Sequence, residues 1–535
     1  MRPRPVLLAL LILCASLSFG QYGGELHFCL HSDPKTFNPL QVDDDPSETV
    51  RYLTGGVLLR VNRLTQKIQP ELALEWKILN GGRTVRFKLR QDVRYSDGSG
   101  FSSADVAYTV NKLMDPELHS STADAFRSGQ GAVRTKILSP RVIEIMFPAP
   151  VANLAALFDS VAILSSTSPK REMAALGPFY VAEYKAGSYL LLNRNPNYWK
   201  KDASGRRLPY VDSVRLFIEQ NPDVEALRFQ RGEIDLINTV SPAVFEKLSV
   251  NNASLVRDAG PSTDTEQLWF NQVASAPIPA YKRAWFSSTA FRRAISEAIN
   301  REDLAQLVFR GHAHPAVGIV PQSNRFWFNS SLQPHPYDVS GSLRLLQQEG
   351  FHLANGLLRD KDGNAVEFSI ITNAGNRSRE NMATMIQQDL QKIGAKVNIV
   401  TLDFNSLLER MTQTYNYEAC LLGTVNGDLD PSSQMTMWLS SGEEHIWNPK
   451  QKVAATTWEA EIDKQMRAQA SATDPLKRKT AWDRVQKIAW EQEPIIYLVN
   501  KDSLVGISPN VRNAQPSAFR PQTYWNVEEL ALAHK

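Results

Sequence analysis

The acidic side chains of this chain gather in two places where they could do chemistry. Asp43, Asp44 and Asp45 form a run able to hold a cationic group or calcium, although such runs more often face solvent. Asp428 and Asp430 sit in the polar, glycine-bearing segment 423–431, and a carboxylate pair is what a hydrolase would need. Two apart in a loop beside Pro431, they suit a turn better than a pair opposed across a substrate. His312 and His314 are close in sequence, but two imidazoles alone are a poor ligand set. Further donors are not evident from the sequence, so neither a metal nor a cofactor is expected. No GxGxxG, Walker A, GxSxG, HExxH or CxxC pattern occurs. Trp438 lies shortly after the polar segment and is placed to wall a pocket, and Trp269 could face a cleft.

The elements that must carry these residues are legible in part. Residues 84–90 alternate, with Val85, Phe87 and Leu89 on one face, which predicts a half-buried strand. Ser96, Asp97 and Gly98 supply a turn, and Ser102 or Ser103 then caps a helix to about Leu113. Phe291, Ala294, Ile295, Ala298 and Ile299 fall on one helical face behind residues 287–289. Val366, Phe368 and Ile370 alternate as a strand; Met382, Met385, Ile386, Leu390 and Ile393 form a helical face stopped by Gly394. Val397 and Ile399 open another strand, 404–411 reads as a helix and 417–422 as a strand. This alternation predicts a mostly parallel α/β lobe. Ligands in open α/β sheets bind beyond the carboxyl ends of the strands, where 423–431 falls. Thr424, Asn426, Gly427 and Asp428 are therefore candidate ligand contacts. Domain boundaries are expected at Gly177-Pro178 and in the turn-forming run 258–262.

Composition bounds the answer from the other side. Over 535 residues, 43% are hydrophobic and 21% charged, which argues against a disordered chain or a many-span membrane protein. With 59 basic and 56 acidic residues, the charge is too balanced for a nucleic-acid binder. Arg2 and Arg4, the apolar run 6–17 and the small residues Ser18 and Gly20 predict a signal peptide over residues 1–20, cleaved before Gln21. Leu13 rather than a small residue precedes Cys14, so a lipid anchor is not expected. Cys29 and Cys420 remain, each in a strand-like apolar run, and are read as buried free thiols.

A series of short motifs then runs in order along nearly the whole mature chain. It opens with Gly23-Gly24-Glu25-Leu26 and the stretch from Ser32-Asp33-Pro34 to Asn38-Pro39. Pro70-Glu71-Leu72-Ala73 before Trp76, Phe87-Lys88-Leu89-Arg90, Ser96-Asp97-Gly98 and Ala104-Asp105-Val106 follow. Gly177-Pro178-Phe179-Tyr180, Arg194-Asn195-Pro196-Asn197-Tyr198-Trp199, Gly232-Glu233-Ile234-Asp235 and Phe291-Arg292-Arg293-Ala294-Ile295 complete it. Together they resemble the family 5, peptide and nickel class of ABC-importer extracytoplasmic solute-binding proteins, of which dipeptide- and oligopeptide-binding proteins are members.

The resemblance implies an α/β, two-lobed periplasmic-binding-protein fold with an additional inserted domain, a two-segment hinge and a ligand cleft between the lobes. Lobe I would take 21–54, 180–265 and 506–535, the inserted domain 55–179, and lobe II 266–505. It also implies a periplasmic monomer that captures a small solute, a short peptide above all, and delivers it to a membrane permease with a separate ATPase. Nickel chelates, haem, opines and sugars are the other ligands of such proteins. A secreted hydrolase, or a sensory or chaperone protein, are the readings outside transport. Peptide-binding relatives carry a Trp and an Asp in the loop after the last strand, where this chain has Thr424 and Gly427. Asp44 and Asp45, on the lobe I side, could supply the missing negative charge; Asp428 could do so only with a shift of loop register.

Overall fold

The computed structural model describes residues 23–118, 120–126, 132–169, 173–425 and 429–533. The expected leader and Cys14 lie outside them. Among the described residues no helix is long and apolar enough to cross a membrane.

In the first lobe, four strands lie in the order Glu25–Leu30, Ser213–Ile218, Tyr189–Arg194, Phe179–Lys185. The first pair is parallel and the others antiparallel. Alternate residues Leu26, Phe28, Leu190, Leu192, Val214 and Leu216 enter one core with Val50 and Leu53 of the helix Asp45–Thr54. That helix starts where Asp44 accepts a hydrogen bond from the Ser47 amide and Pro46 fixes the first turn. Residues near the carboxyl terminus, among them Tyr524, Val527 and Leu530, close the same core.

The inserted segment builds a separate antiparallel sheet in the order Ala73–Leu79, Thr84–Leu89, Val142–Met146, Arg134–Ser139. Val85, Phe87 and Leu89 are buried while Arg86 and Lys88 stay exposed, as the period-two pattern requires. The helix Ser103–Leu113 carries a reciprocal cap between Ser102 and Asp105.

The second lobe contains the expected alternation, and its sheet is mixed rather than mostly parallel. Strand Glu367–Asn373 pairs in parallel with Lys396–Leu402 and with Ala419–Val425. The helix Arg377–Gln391 lies between the first two, and Gly394, with φ +79, turns the chain out of it. Ala419–Val425 then runs antiparallel to the 15-residue strand Val256–Phe270, which pairs antiparallel with the 13-residue strand Ile495–Ile507. These directions come from chain segments arriving from the other lobe, which no strand–helix–strand rule governs.

Residues 258–262, expected as a turn, lie inside the first of these long strands. Their pairing with the partner strand slips between Asp258 and Pro261 and again between Pro261 and Thr265. Gly260 has φ +85 and Pro261 has no amide hydrogen, so the ladder breaks there without the chain turning back. Both long strands belong to both lobes. Ile507 pairs with Leu236 in the first lobe, while Thr265 pairs with Thr424 in the second. Two extended segments with an interrupted ladder thus join the lobes, and they form the hinge.

Candidate functional site

A cavity of about 1010 Å³ lies where the lobes meet. The first lobe lines it with the helix Asp45–Thr54, the end of strand Glu25–Leu30, residues 238–242 and the carboxyl-terminal Arg520 and Tyr524. The second lobe and hinge contribute Asp264, Glu266, Phe309, His312, Asn376, Ser378, Lys501 and Asp502.

The helix presents Asp45, Glu48, Thr49 and Tyr52 to the cavity, positions i, i+3, i+4 and i+7. Tyr52 donates to the carbonyl of Trp525 at 2.9 Å, and the Tyr524 and Thr49 hydroxyls share a 2.9 Å hydrogen bond. Tyr524 also stacks on Phe28 at 5.2 Å, so the aromatic part of the wall is held from two sides. Burial pushes the Tyr524 phenol above its usual range, and it stays a neutral hydroxyl.

Charge is the main feature of the lining. Asp45, Glu48, Glu225, Asp264, Glu266 and Asp502 oppose three strong cations, Arg63, Lys501 and Arg520. Asp45 meets Arg520 at 3.0 Å with both side chains well exposed, at 83% and 41%. Glu266 is buried and held by Arg379 at 2.8 Å and Lys501 at 3.2 Å. Lys501 is also 3.9 Å from Asp264. Glu225 pairs with His31 at 3.0 Å, and that hydrogen bond raises the imidazole above its ordinary value. Burial, with Asp258 close by, pushes the Asp502 carboxyl up to about 6 against the opposing pull of His314 and His312. The cavity therefore offers partners for groups of either charge, with an excess of carboxylates.

The structure divides the residues expected from sequence. Asp45 lines the cavity. Asp44 does not, because its carboxylate is taken up as the helix cap. Trp269 is a correction: it is 1% exposed in the second lobe's core, where its indole donates to Tyr417 at 3.2 Å. Trp438 is another, packed with Trp447 and Trp482 in the same core rather than walling the pocket. Large aromatics gain most from full burial, and this lobe has a core deep enough to take them. Thr424 lies in strand Ala419–Val425 with its hydroxyl buried and without a hydrogen-bond partner, and it is not among the cavity residues. Asn426, Gly427 and Asp428 lie outside the described residues.

Asp430 is buried and doubly bonded to Arg478, at 2.6 and 2.8 Å, which makes it a structural group rather than half of a catalytic pair. Cys29 and Cys420 are free, but only Cys420 is fully buried. Cys29 is half-buried on the cavity wall, and burial pushes its thiol up to about 12, so it stays protonated. The helix face 45, 48, 49, 52 was readable from the 3.6-residue period. Arg520 and Tyr524 were not, since nothing local marks two residues that meet a helix 475 positions earlier.

Comparison with known proteins places this geometry. Residues 67–445 match the model of the bacterial extracellular solute-binding proteins, family 5. A probable ABC transporter-binding protein of Deinococcus radiodurans is 25% identical over 89% of this chain and 87% of its own. The oligopeptide-binding protein AppA of Bacillus subtilis is 23% identical over 96% and 92%. Its structure in complex with a nonapeptide superposes with a TM-score of 0.72, at 21% identity over 96% of this chain and all of that one. The ABC transporter substrate-binding protein CtaP of Listeria monocytogenes gives 0.81, at 20% identity over 96% and 100%. With two lobes, a two-strand hinge and a cavity between them, this chain belongs to the bacterial extracellular solute-binding proteins of family 5.

Proposed function

We propose that this protein captures short peptides between its lobes in the periplasm, after removal of residues 1–20, and delivers them to a membrane permease driven by a separate ATPase. The observation that carries the reading is the interlobe cavity with charged groups of both signs. Its volume of about 1010 Å³ stands at the top of the ~300–1,000 Å³ range of small-molecule pockets, larger than one amino acid needs. A peptide is a zwitterion with a polar backbone, and burying its ends unpaired would be costly. Asp45 and Asp264 can meet an ammonium; Lys501 and Arg520 can meet a carboxylate. Strand Glu25–Leu30 is the edge of its sheet, and its last residues line the cavity, which suits an extended ligand.

No covalent chemistry is required. A solute that binds the closed arrangement better than the open one shifts the hinge equilibrium by that difference in affinity. Native mass spectrometry of protein purified without refolding tests the reading, because enclosed ligands dissociate slowly. A family of adducts with peptide masses is expected. A single non-peptide adduct would replace the peptide by another solute class.

A further inference from the structure

The two histidines that looked like a poor ligand set acquire partners in the fold. Nδ1 of His312 lies 2.8 Å from Oδ2 of Asp258, and Nε2 of His314 lies 3.1 Å from Oδ1 of Asp502. One donor atom from each of Asp258, His312 and Asp502 falls within 4.8 Å of the others. We infer that the hinge carries a binding site for one divalent cation of the zinc and nickel class, ligated by these three side chains.

Four observations support this. The Asp502 side chain is only 4% exposed, and its Oδ1 makes no well-formed hydrogen bond, its one near polar neighbour being the His314 nitrogen at 3.1 Å. A buried carboxylate oxygen so placed is costly without a cation. The strong cations next in sequence to these ligands are committed elsewhere: Lys501 to Glu266 and Asp264, and Arg310 to Glu246. The ring of His312 packs edge-on against Phe245 at 4.5 Å, which fixes its orientation. Finally, an imidazole nitrogen with carboxylate oxygens suits zinc or nickel, whereas calcium and magnesium favour oxygen alone. On loading, the neutral imidazole of His312 keeps its one proton on Nε2 and offers Nδ1 to the ion, which takes the place of the direct Nδ1–Asp258 contact.

The position gives the site a consequence. Asp258 lies on one hinge strand and Asp502 on the other, at the broken part of their ladder. His312 belongs to the second lobe, while Phe245 beneath it belongs to the first lobe's helix Pro242–Asn251. A bound ion ties all three segments, whatever solute the cleft takes.

The test is a Zn2+ titration of chelator-treated full-length protein by calorimetry, with metal content read by elemental analysis. One equivalent is expected, weakened at least tenfold in His312→Ala and in Asp258→Asn, and unchanged in His352→Ala, an exposed histidine elsewhere. The Co2+-loaded wild type should show hyperfine-shifted imidazole signals, an outcome that does not depend on any variant folding. No stoichiometric uptake, uptake indifferent to both hinge variants, preference for Ca2+ or Mg2+ over Zn2+, or absence of those signals would each overturn the site. Peptide adducts in native mass spectra are a separate readout, so loss of either proposal leaves the other intact.

Discussion

Two aspartate–arginine pairs in this molecule have the same chemistry and opposite surroundings. Asp430 and Arg478 are 6% and 4% exposed, bonded at 2.6 Å, with the guanidinium also held by Ser432 and Gln469 and packed over Trp327. Asp45 and Arg520 meet at 3.0 Å on the cavity wall, largely open to solvent. The first pair fastens the segment after strand Ala419–Val425 to the helix Pro475–Gln492. The second joins the first lobe's helix to the carboxyl-terminal segment and can exchange its partner for a charged end of a ligand at little desolvation cost. Burial, rather than the identity of the residues, separates a pair that fastens the fold from one free to change its partner.

The largest way to break this comparison is Arg478→Ala. It leaves Asp430 buried without its guanidinium, and should cost about 3–5 kcal/mol, read by urea denaturation. A change within error would mean that the pair is not what holds that segment.

A smaller effect should come from another sealed carboxylate of the second lobe. Burial alone would raise Glu459, but hydrogen bonds from His445, Gln451, Thr456 and Trp447 bring it down to about 2. A carboxylate depressed on folding contributes stability above its unfolded value, and that contribution is lost as pH falls through the folded value. The melting temperature of the wild type should therefore drop between about pH 4.5 and pH 2, where Glu459 takes up its proton. Glu459→Gln, lacking the titrating group, should melt lower at pH 7 and show a shallower fall across the same window by circular dichroism.

Asp45→Asn sharpens the other side. Melting temperature should be unchanged, while affinity for a retained peptide falls roughly tenfold if the ammonium end meets Asp45, the size of one lost charged contact. Isothermal titration with the peptide identified by mass spectrometry measures the affinity, and thermal melting by circular dichroism measures the stability.

The smallest effect belongs to His31. Its imidazole should titrate above the ~6.5 of a free histidine, followed by NMR, and should return toward it in Glu225→Gln. Because folding raises this value, the pair stabilises fully below the unfolded value and its contribution is lost as pH rises through the folded one.

How far the sequence revealed this arrangement depended on the range of the interaction. Period-two alternation at 85–89, the Ser102 cap and the helix ending before Gly394 are local, and the structure contains them. The hinge strands were hidden because the polar run 258–262, with its Gly and Pro, reads as a turn. Only pairing with Ile495–Ile507 keeps that run extended. Asp45 was legible as a candidate, while Glu48, Thr49 and Tyr52 on the same helix face were marked only by the helical period. Trp269 and Trp438 misled because proximity to a polar loop in sequence says nothing about depth in the core.

The central claim is that the solute sits between the lobes, against the helix Asp45–Thr54, the carboxyl-terminal segment and the hinge strands. Hydrogen exchange measured by mass spectrometry, on protein with its retained solute and after its removal, tests this directly. The account predicts added protection in peptides covering residues 45–52, 258–266 and 498–524 when solute is bound. Protection confined to the region around Trp438 and Trp447, with those segments unchanged, would contradict it.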